Sequence, residues 1–275
     1  MRTLKITLVT LIVIGAVGML ATLIAYGFNV PNMWSDMSSA SAYVQNENDT
    51  FNDVTGINVT SRDGRINVIG HDKDYVRVVY FTREDRLAVT TTLTNGTLTI
   101  NQTTERWRIW NFGFNLQSLD LYTIRLYVPT GLENITLQSH NGRVNVSGVE
   151  SDELRITCHN GRVGVTNSEI DQINITSHNG SIHVTNVVGD RVILNNHNGS
   201  NTINGKFNHV DSQTLNGRNN VTLVGGSGDY EIRLATRNGT NRINGTRTQQ
   251  TIIDGGPGFV RLVTSNGRND LWFVA

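Results

Sequence analysis

The chain has 275 residues, and its 23 Lys and Arg residues balance 23 Asp and Glu residues, so the formal net charge at pH 7 is zero. A neutral chain lacks the excess positive charge that attracts nucleic acid or anionic membrane surfaces through bulk electrostatics. The single cysteine, Cys158, excludes disulfides within the chain and metal sites built from several cysteines.

The N-terminal residues predict a membrane anchor. Arg2 and Lys5 precede an uncharged, mostly apolar run over residues 6–28, which is long enough to cross a bilayer as a helix. A cleaved signal peptide is the alternative, because small residues surround Ser41, but these lie far beyond the apolar run. We expect residues 1–28 to form an uncleaved single-pass anchor in the cell membrane. Acidic residues follow the run, so the N-terminus is expected to be cytoplasmic and the C-terminal domain extracytoplasmic.

After the anchor, the chain divides into a linker and a repetitive domain. Residues 29–53 are rich in Ser, Asn and Asp, a composition typical of linkers. Over residues 54–275 a His-Asn-Gly triplet occurs four times at intervals of nineteen residues, and looser copies with Asn-Gly follow. An earlier copy, residues 57–70, has Asp63 where the others have Asn. A repeat of about 20 residues is typical of solenoids.

Each copy alternates polar and apolar residues with a period of two, as β-strands do. Asn-Gly is also a strong β-hairpin signal, so a meander or barrel of antiparallel strands is the alternative architecture. Parallel stacking explains more, because equivalent side chains then lie about 4.8 Å apart and form ladders. We therefore predict an all-β, β-helix-like solenoid with coils of about 19 residues.

Two amide ladders follow from this stacking. At the corner of each coil we expect asparagine to stack and glycine to permit the bend. The corner residues are Asn141 and Gly142, Asn160 and Gly161, Asn179 and Gly180, and Asn198 and Gly199. In the later copies the inward position after the bend changes from Val or Ile to Asn, at Asn201, Asn219, Asn241 and Asn269.

The stretch "YTIRLYVPTGLENITLQSHNGRVNVSGV", residues 122–149, carries a family resemblance. A strand that ends in Val-Pro-x-Gly leads there into repeats of the form x-Asn-Gly-x-Val-x-Val-x-Gly. The chain resembles the putative-adhesin family of bacterial and archaeal envelope proteins, domains of unknown function related to the head domain named for its Gly-Ile-Asn motif, over about residues 55–275. The resemblance implies a β-solenoid displayed at the cell surface, often behind a single membrane segment, and no known enzymatic reaction.

The repeated histidines, His140, His159, His178 and His197, are expected to form an outward row. Imidazoles on neighbouring coils are candidate zinc ligands, but a straight row with one histidine per coil supplies a tetrahedral site poorly. Stacking beside the bend is the favoured interpretation, and we predict no metal and no cofactor. Because like charges this close repel, we also predict slightly lower stability below pH 6.

An irregular insertion near residues 105–115 interrupts the pattern. It contains Arg106, Trp107, Arg108, Trp110, Phe112 and Phe114. Aromatic residues that alternate with arginine are typical of contact surfaces. The alternative is a cap that covers the open end of the solenoid, and the two roles are compatible.

Carboxylates and sequons complete the candidates. A pair of carboxylates in a cleft could cleave a polysaccharide, and Glu150, Asp152, Glu153 and Glu169 are available, but they lie in turns of repeating units. Several Asn-x-Ser/Thr sequons are expected to be glycosylated where the host modifies exported asparagines. These are Asn58, Asn95, Asn134, Asn174, Asn198, Asn220 and Asn238.

These observations favour a non-enzymatic, membrane-anchored cell-surface module that acts in adhesion or envelope structure. Its expected partners are the membrane, through the N-terminal helix, and an envelope polymer or surface protein, with no nucleic acid. Two alternatives remain open at this point, an extracytoplasmic sensor or regulator in an envelope-stress system and a polysaccharide-acting β-helix enzyme.

Overall fold

A computed structural model describes residues 44–82, 87–104, 122–249 and 252–274, and these residues form an 18-stranded sheet. The strands are β1 (Val44–Phe51), β2 (Gly56–Ser61), β3 (Arg65–Gly70), β4 (Val76–Thr82), β5 (Leu87–Thr94), β6 (Thr97–Thr104), β7 (Thr123–Val128), β8 (Leu132–Ser139), β9 (Val144–Ser147), β10 (Glu150–Asn160), β11 (Val163–Asn179), β12 (Ile182–Val188), β13 (Arg191–Lys206), β14 (His209–Val224), β15 (Tyr230–Ile243), β16 (Thr246–Thr248), β17 (Ile252–Ile253) and β18 (Gly258–Val274). The predicted all-β class is confirmed.

Successive copies of the repeat pair in parallel, with equivalent residues side by side. Ile135 on β8 lies opposite Leu154 on β10, which lies opposite Ile173 on β11. The same register continues to Val192 on β13 and Val210 on β14. At the Asn-Gly corners of these copies the flanking segments therefore pair with neighbouring copies and not with each other, whereas Asn95-Gly96 and Asn244-Gly245 each join two antiparallel strands as a hairpin turn.

Spatial order departs from chain order at both ends of the stack. The first copy, β2 and β3, lies between two later segments, because β2 pairs with both β6 and β8 while β3 pairs with both β7 and β9. At the other end β18 pairs with both β14 and β15. The last copy in the chain is thus inserted before β15, which is outermost among the described repeats.

Antiparallel strands cover both ends of the parallel stack. Strand β5 pairs with β6 and β4 with β7 at one end, while β16 and β17 pair with β15 at the other. Such strands occupy backbone groups that an open parallel edge would leave free for aggregation. The insertion near residues 105–115, predicted as a cap or contact surface, lies outside the described residues.

The compact domain begins earlier than the predicted linker boundary at residue 54. Strand β1 joins the sheet by pairing with β4, and the compact unit starts at Gln45. Phe51 and Val54 pack against the core, and the hydroxyl of Tyr80 donates a hydrogen bond to Asp49. The Ser, Asn and Asp content of residues 29–53 is typical of linkers, so the sequence did not indicate strand β1.

The predicted anchor over residues 1–28 also lies outside the described residues. In the part of the chain that the structure describes, no helix is long and apolar enough to span a membrane.

The interior changes character along the stack. Inward residues of the central copies are apolar and fully buried, as at Val144, Val163 and Ile182. At the equivalent positions of β13 and β14 the buried residues are Asn201 and Asn219. The core is therefore apolar in the centre and contains an amide network toward the C-terminal end.

Candidate functional site

The corner asparagines form a hydrogen-bonded ladder along one edge of the stack. Each Nδ2 donates to the Oδ1 of the neighbouring copy over 2.7–2.9 Å, always in the same direction. In spatial order the ladder runs through Asn238, Asn266, Asn216, Asn198, Asn179, Asn160 and Asn141 to Asp63. Asp63 accepts the last hydrogen bond of the ladder, from Asn141. An ionised carboxylate can only accept hydrogen bonds, so it suits the last position of a ladder in which every amide donates in the same direction.

The glycines of these corners are required by close stacking. A Cβ on Gly161 would lie 2.0 Å from the carbonyl oxygen of Gly142, and one on Gly180 would lie 1.8 Å from that of Gly161. Backbone of the adjacent copy cannot yield by such an amount. The φ values of Gly142 and Gly161 are not in the left-handed region, so the close approach of the adjacent copy is the structural reason for glycine at these two bends.

The histidine row (His140, His159, His178 and His197) lies immediately before the corner ladder and is exposed. Ring centroids of successive imidazoles are 4.7–4.8 Å apart, and the ring planes differ by 2–7°. The predicted stacking is present. Because the faces contact one another, the nitrogen-bearing edges are the parts of these rings that remain available to a ligand.

The same geometry fits a zinc site poorly. Zn–N bonds are about 2.0–2.1 Å, so two nitrogens on one zinc ion lie at most about 4.2 Å apart. Parallel rings with centroids 4.8 Å apart hold equivalent nitrogens farther apart than this. Among the described residues, no group of three or more His, Cys, Asp or Glu side chains is arranged to hold a metal ion.

A groove runs beside the histidine row, across the strands. Two adjoining hollows, of about 690 and 430 Å³, share Thr176, Ser177 and His178 and thus form one continuous groove. One wall is the histidine row with Arg62 at its end. The other wall is a ladder of outward polar residues two positions earlier on the strands, at Thr60, Gln138, Thr157, Thr176, Asn195 and Gln213.

Small residues of the inward row form the floor of the groove. Ser139, Cys158, Ser177 and Asn196 are buried there. Burial raises the pKa of the Cys158 thiol to about 11, and the thiol donates to the carbonyl of Gly142. A neutral, buried thiol is a poor nucleophile, which agrees with its expected packing role.

Three buried oxygens of this floor lack a hydrogen-bond partner among the described residues. They are Oγ of Ser139, Oγ of Ser177 and Oδ1 of Asn196. The equivalent Ser61 is satisfied, because its Oγ donates to Gln102 and accepts from the backbone N–H of Gly64. The floor therefore keeps unused hydrogen-bonding capacity beneath the histidine row.

Among the described residues, the lining of the groove contains no carboxylate. Its charged or titratable groups are Arg62, the histidine row and the neutral Cys158. Two of the predicted catalytic candidates, Glu150 and Glu169, are exposed neighbours on β10 and β11, and Glu153 forms an ion pair with Arg155 over 2.7 Å. Asp152 is exposed outside the groove. The carboxylates are therefore not brought together in this cleft.

The sequons differ in how available their amides are. Asn95 and Asn134 are exposed, while Asn174 and Asn220 are half-buried. Nδ2 of Asn198 donates to Asn179 and that of Asn238 to Asn266, and Oδ1 of Asn58 is buried without a partner. Glycosylation, which remains a prediction, fits Asn95 and Asn134 best because a sugar there breaks no ladder.

Comparison with known proteins identifies the family. The model of the Toastrack domain DUF4097 matches residues 54–246, so the chain belongs to the Toastrack family. The predicted resemblance to a putative-adhesin family of unknown function is thereby confirmed. A search of curated proteins finds no match.

Comparison with solved structures finds similarities at low sequence identity and low TM-score. A putative cell adhesion protein from Clostridium sporogenes is 13% identical with a TM-score of 0.42, and the match covers 84% of this chain and 99% of that one. A putative adhesin from Bacteroides fragilis is 12% identical with a TM-score of 0.44, covering 84% and 97%. A putative lipid binding protein from Parabacteroides distasonis is 16% identical with a TM-score of 0.36, also covering 84% and 97%.

Proposed function

We propose that this Toastrack protein is a non-enzymatic, membrane-anchored cell-surface module whose stacked copies form a β-solenoid and whose groove binds an extended polymer of the cell envelope. The anchor is the apolar run over residues 6–28, with the N-terminus in the cytoplasm. In this arrangement the repetitive domain is held outside the membrane, where it contacts envelope material.

One observation carries the proposal, the continuity of the groove across successive copies. The same kinds of side chain recur on both walls at the stacking distance of 4.7–4.8 Å. A repetitive row of equivalent groups suits a ligand that is itself extended and repetitive, because several weak contacts then act together. A compact ligand would contact only one or two copies, and the other copies would contribute nothing to its binding.

The chemistry of the walls also supports binding without turnover. Hydroxyl and amide groups of Thr157, Thr176 and Gln138 offer hydrogen bonds to a polyhydroxylated chain. Glycoside cleavage needs two carboxyl groups on either side of the scissile bond, and the lining of the described groove supplies neither. We therefore favour adhesion or envelope attachment over hydrolysis.

Co-sedimentation of the full-length chain with purified envelope polysaccharide tests the proposal. Replacing Thr157, an exposed groove residue, by Trp fills the groove and should abolish most of the sedimented fraction. Thr185→Trp is the matched control, since Thr185 is equally exposed on β12 but lies outside the groove. Equal binding by the two variants and the unmodified chain would refute a role for the groove.

A further inference from the structure

We propose that the ligand of the groove is an acidic linear polysaccharide and that acidification strengthens its binding by charging the histidine row. This inference rests on the proposed function, in which the groove binds an envelope polymer, and adds the chemical class of that polymer and a regulating condition. It follows from the charges on the groove wall and the orientation of the imidazoles.

Among the described residues, the lining of the groove holds no negative charge that compensates the histidine row. Four imidazoles stand 4.7–4.8 Å apart, with the Arg62 guanidinium beyond His140 and no Asp or Glu in the described lining. Histidine ordinarily gains its proton between about pH 8 and 5. Protonation therefore creates a line of closely spaced positive charges that repel one another until an anion is placed along them.

Charged groups on the surrounding elements do not remove this imbalance. Asp63 keeps its negative charge while it accepts the hydrogen bond of Asn141, but it is one carboxylate at the Arg62 end of a row of four imidazoles, and Asp211 on β14 pairs with Arg261 at 3.0 Å. Arg143 and Arg162 follow the corner and add positive charge. Beyond His197 the row continues through Leu215 and Ser265 to Arg237, again without an acid.

The positions of these groups favour a polysaccharide over a nucleic acid. Single-stranded nucleic acids are held largely by stacking of bases on exposed aromatic faces. The faces of these imidazoles are stacked on one another, so they present nitrogen-bearing edges instead. Edges that donate hydrogen bonds suit carboxylate groups, while the facing Thr and Gln wall suits sugar hydroxyls.

The test uses the full-length chain and polygalacturonate, a linear polymer whose carboxylates are ionised at both pH 7.5 and pH 5.5. We expect the affinity to rise by about tenfold on acidification, since several exposed ion pairs of modest strength act together. The fully methyl-esterified polymer, which has the same backbone without charge, should show no such rise. In the double variant H159Q/H178Q the rise should be lost, whereas His183→Gln, on β12 outside the groove lining, should retain it.

Four results would each overturn the inference: affinity independent of pH, equal acid-enhanced binding of the esterified polymer, equally tight binding of poly(U), or a full acid response in the double variant H159Q/H178Q. Running Thr157→Trp against envelope polysaccharide in parallel separates the two proposals. If that variant loses binding while the acid response is absent, the groove binds a polymer but the acidic class is wrong.

Discussion

The central copies and the C-terminal copies of the repeat stack in the same parallel arrangement but bury different side chains. After the bend, the inward position is Val144, Val163 and Ile182 in the centre but Asn201, Asn219 and Asn269 toward the C-terminal end. All six are buried. The change occurs between β12 and β13, while the parallel register continues through it without a break at this position.

Asparagine is tolerated inside because its polar atoms are paired. Nδ2 of Asn219 donates to the Val263 carbonyl and to Oδ1 of Asn269, and its Oδ1 accepts from Asn201 and Ser212. A fully satisfied polar network can occupy a core at little cost, whereas an incomplete one destabilises it. The two regions show that a buried position in the stack can be apolar or polar, provided that the neighbouring copies present side chains that pack against it or form hydrogen bonds with it.

Outside, the two regions share the corner but differ in the residue before it. Asn216 and Asn266 continue the corner ladder, yet the preceding residues are Leu215 and Ser265 instead of histidine. Stacking therefore does not demand an imidazole at this position. A side chain that the architecture leaves free, and that repeats along the groove, is a candidate for function.

The largest expected effect comes from exchanging the interiors of the two regions. Val163→Asn places an amide among apolar neighbours and should lower the free energy of unfolding by about 4 kcal/mol, through lost burial and unsatisfied polar atoms. Asn219→Val removes four hydrogen bonds from the buried network and should cost about 3 kcal/mol. Urea unfolding measures both.

The control for this exchange is Asn220→Val, the same substitution at the outward, half-buried neighbour. It should change the stability by no more than about 0.5 kcal/mol. If Val163→Asn and Asn219→Val were both as mild as the control, the contrast between the two interiors would have no energetic meaning.

A smaller loss is expected from Gly161→Ala at the corner that both regions share. The added Cβ would lie 2.0 Å from a backbone oxygen, so the copies must move apart, at a cost of about 2–3 kcal/mol. Gly228→Ala is the matched control because nothing lies within 4 Å of its Cβ. Melting temperatures that fall equally in both variants would show that close stacking does not select this glycine.

The smallest effect is a loss of stability in acid. Burial lowers the pKa of His183 and His209, assisted by Arg162 and Arg191 respectively. The unfolded chain then binds protons more readily, so this stabilisation is complete above pH 6.5 and is lost as the pH falls below it. Repulsion along the protonated histidine row acts in the same direction.

Melting temperatures at pH 7 and pH 5 measure this effect. The decrease should be smaller in H183Q/H209Q and in H159Q/H178Q than in the unmodified chain. A melting temperature that does not change between these pH values would contradict the prediction.

Much of the repeat could be predicted from the sequence. Period-two alternation and the returning Asn-Gly pairs indicate stacked strands, and the change from Val to Asn indicates the interior network. The order of the terminal copies could not be predicted, because similar copies offer similar partners. Asn216 can pair equally well with Asn238 or Asn266, and the structure pairs it with Asn266.

Only one of the two walls of the groove could be recognised in the sequence. The histidine row was evident because the residue type is rare and repeats, whereas the facing wall mixes Thr, Gln and Asn, which have no recurring identity. These residues share only their position on the strand. That they lie side by side as one wall can be recognised only when the register between the strands is known. The close approach of adjacent corners is likewise a distance between copies, which no single copy encodes.

The most direct test of the account extends the histidine row into the C-terminal region. Leu215 lies next to His197 in the stack and is 40% exposed, so Leu215→His adds a fifth imidazole without disturbing the core. At pH 5.5 the dissociation constant for polygalacturonate should fall by about two- to fivefold, the contribution of one further exposed ion pair, with little change at pH 7.5. An unchanged dissociation constant at pH 5.5 in a correctly folded variant would contradict the claim that the outward row carries the ligand.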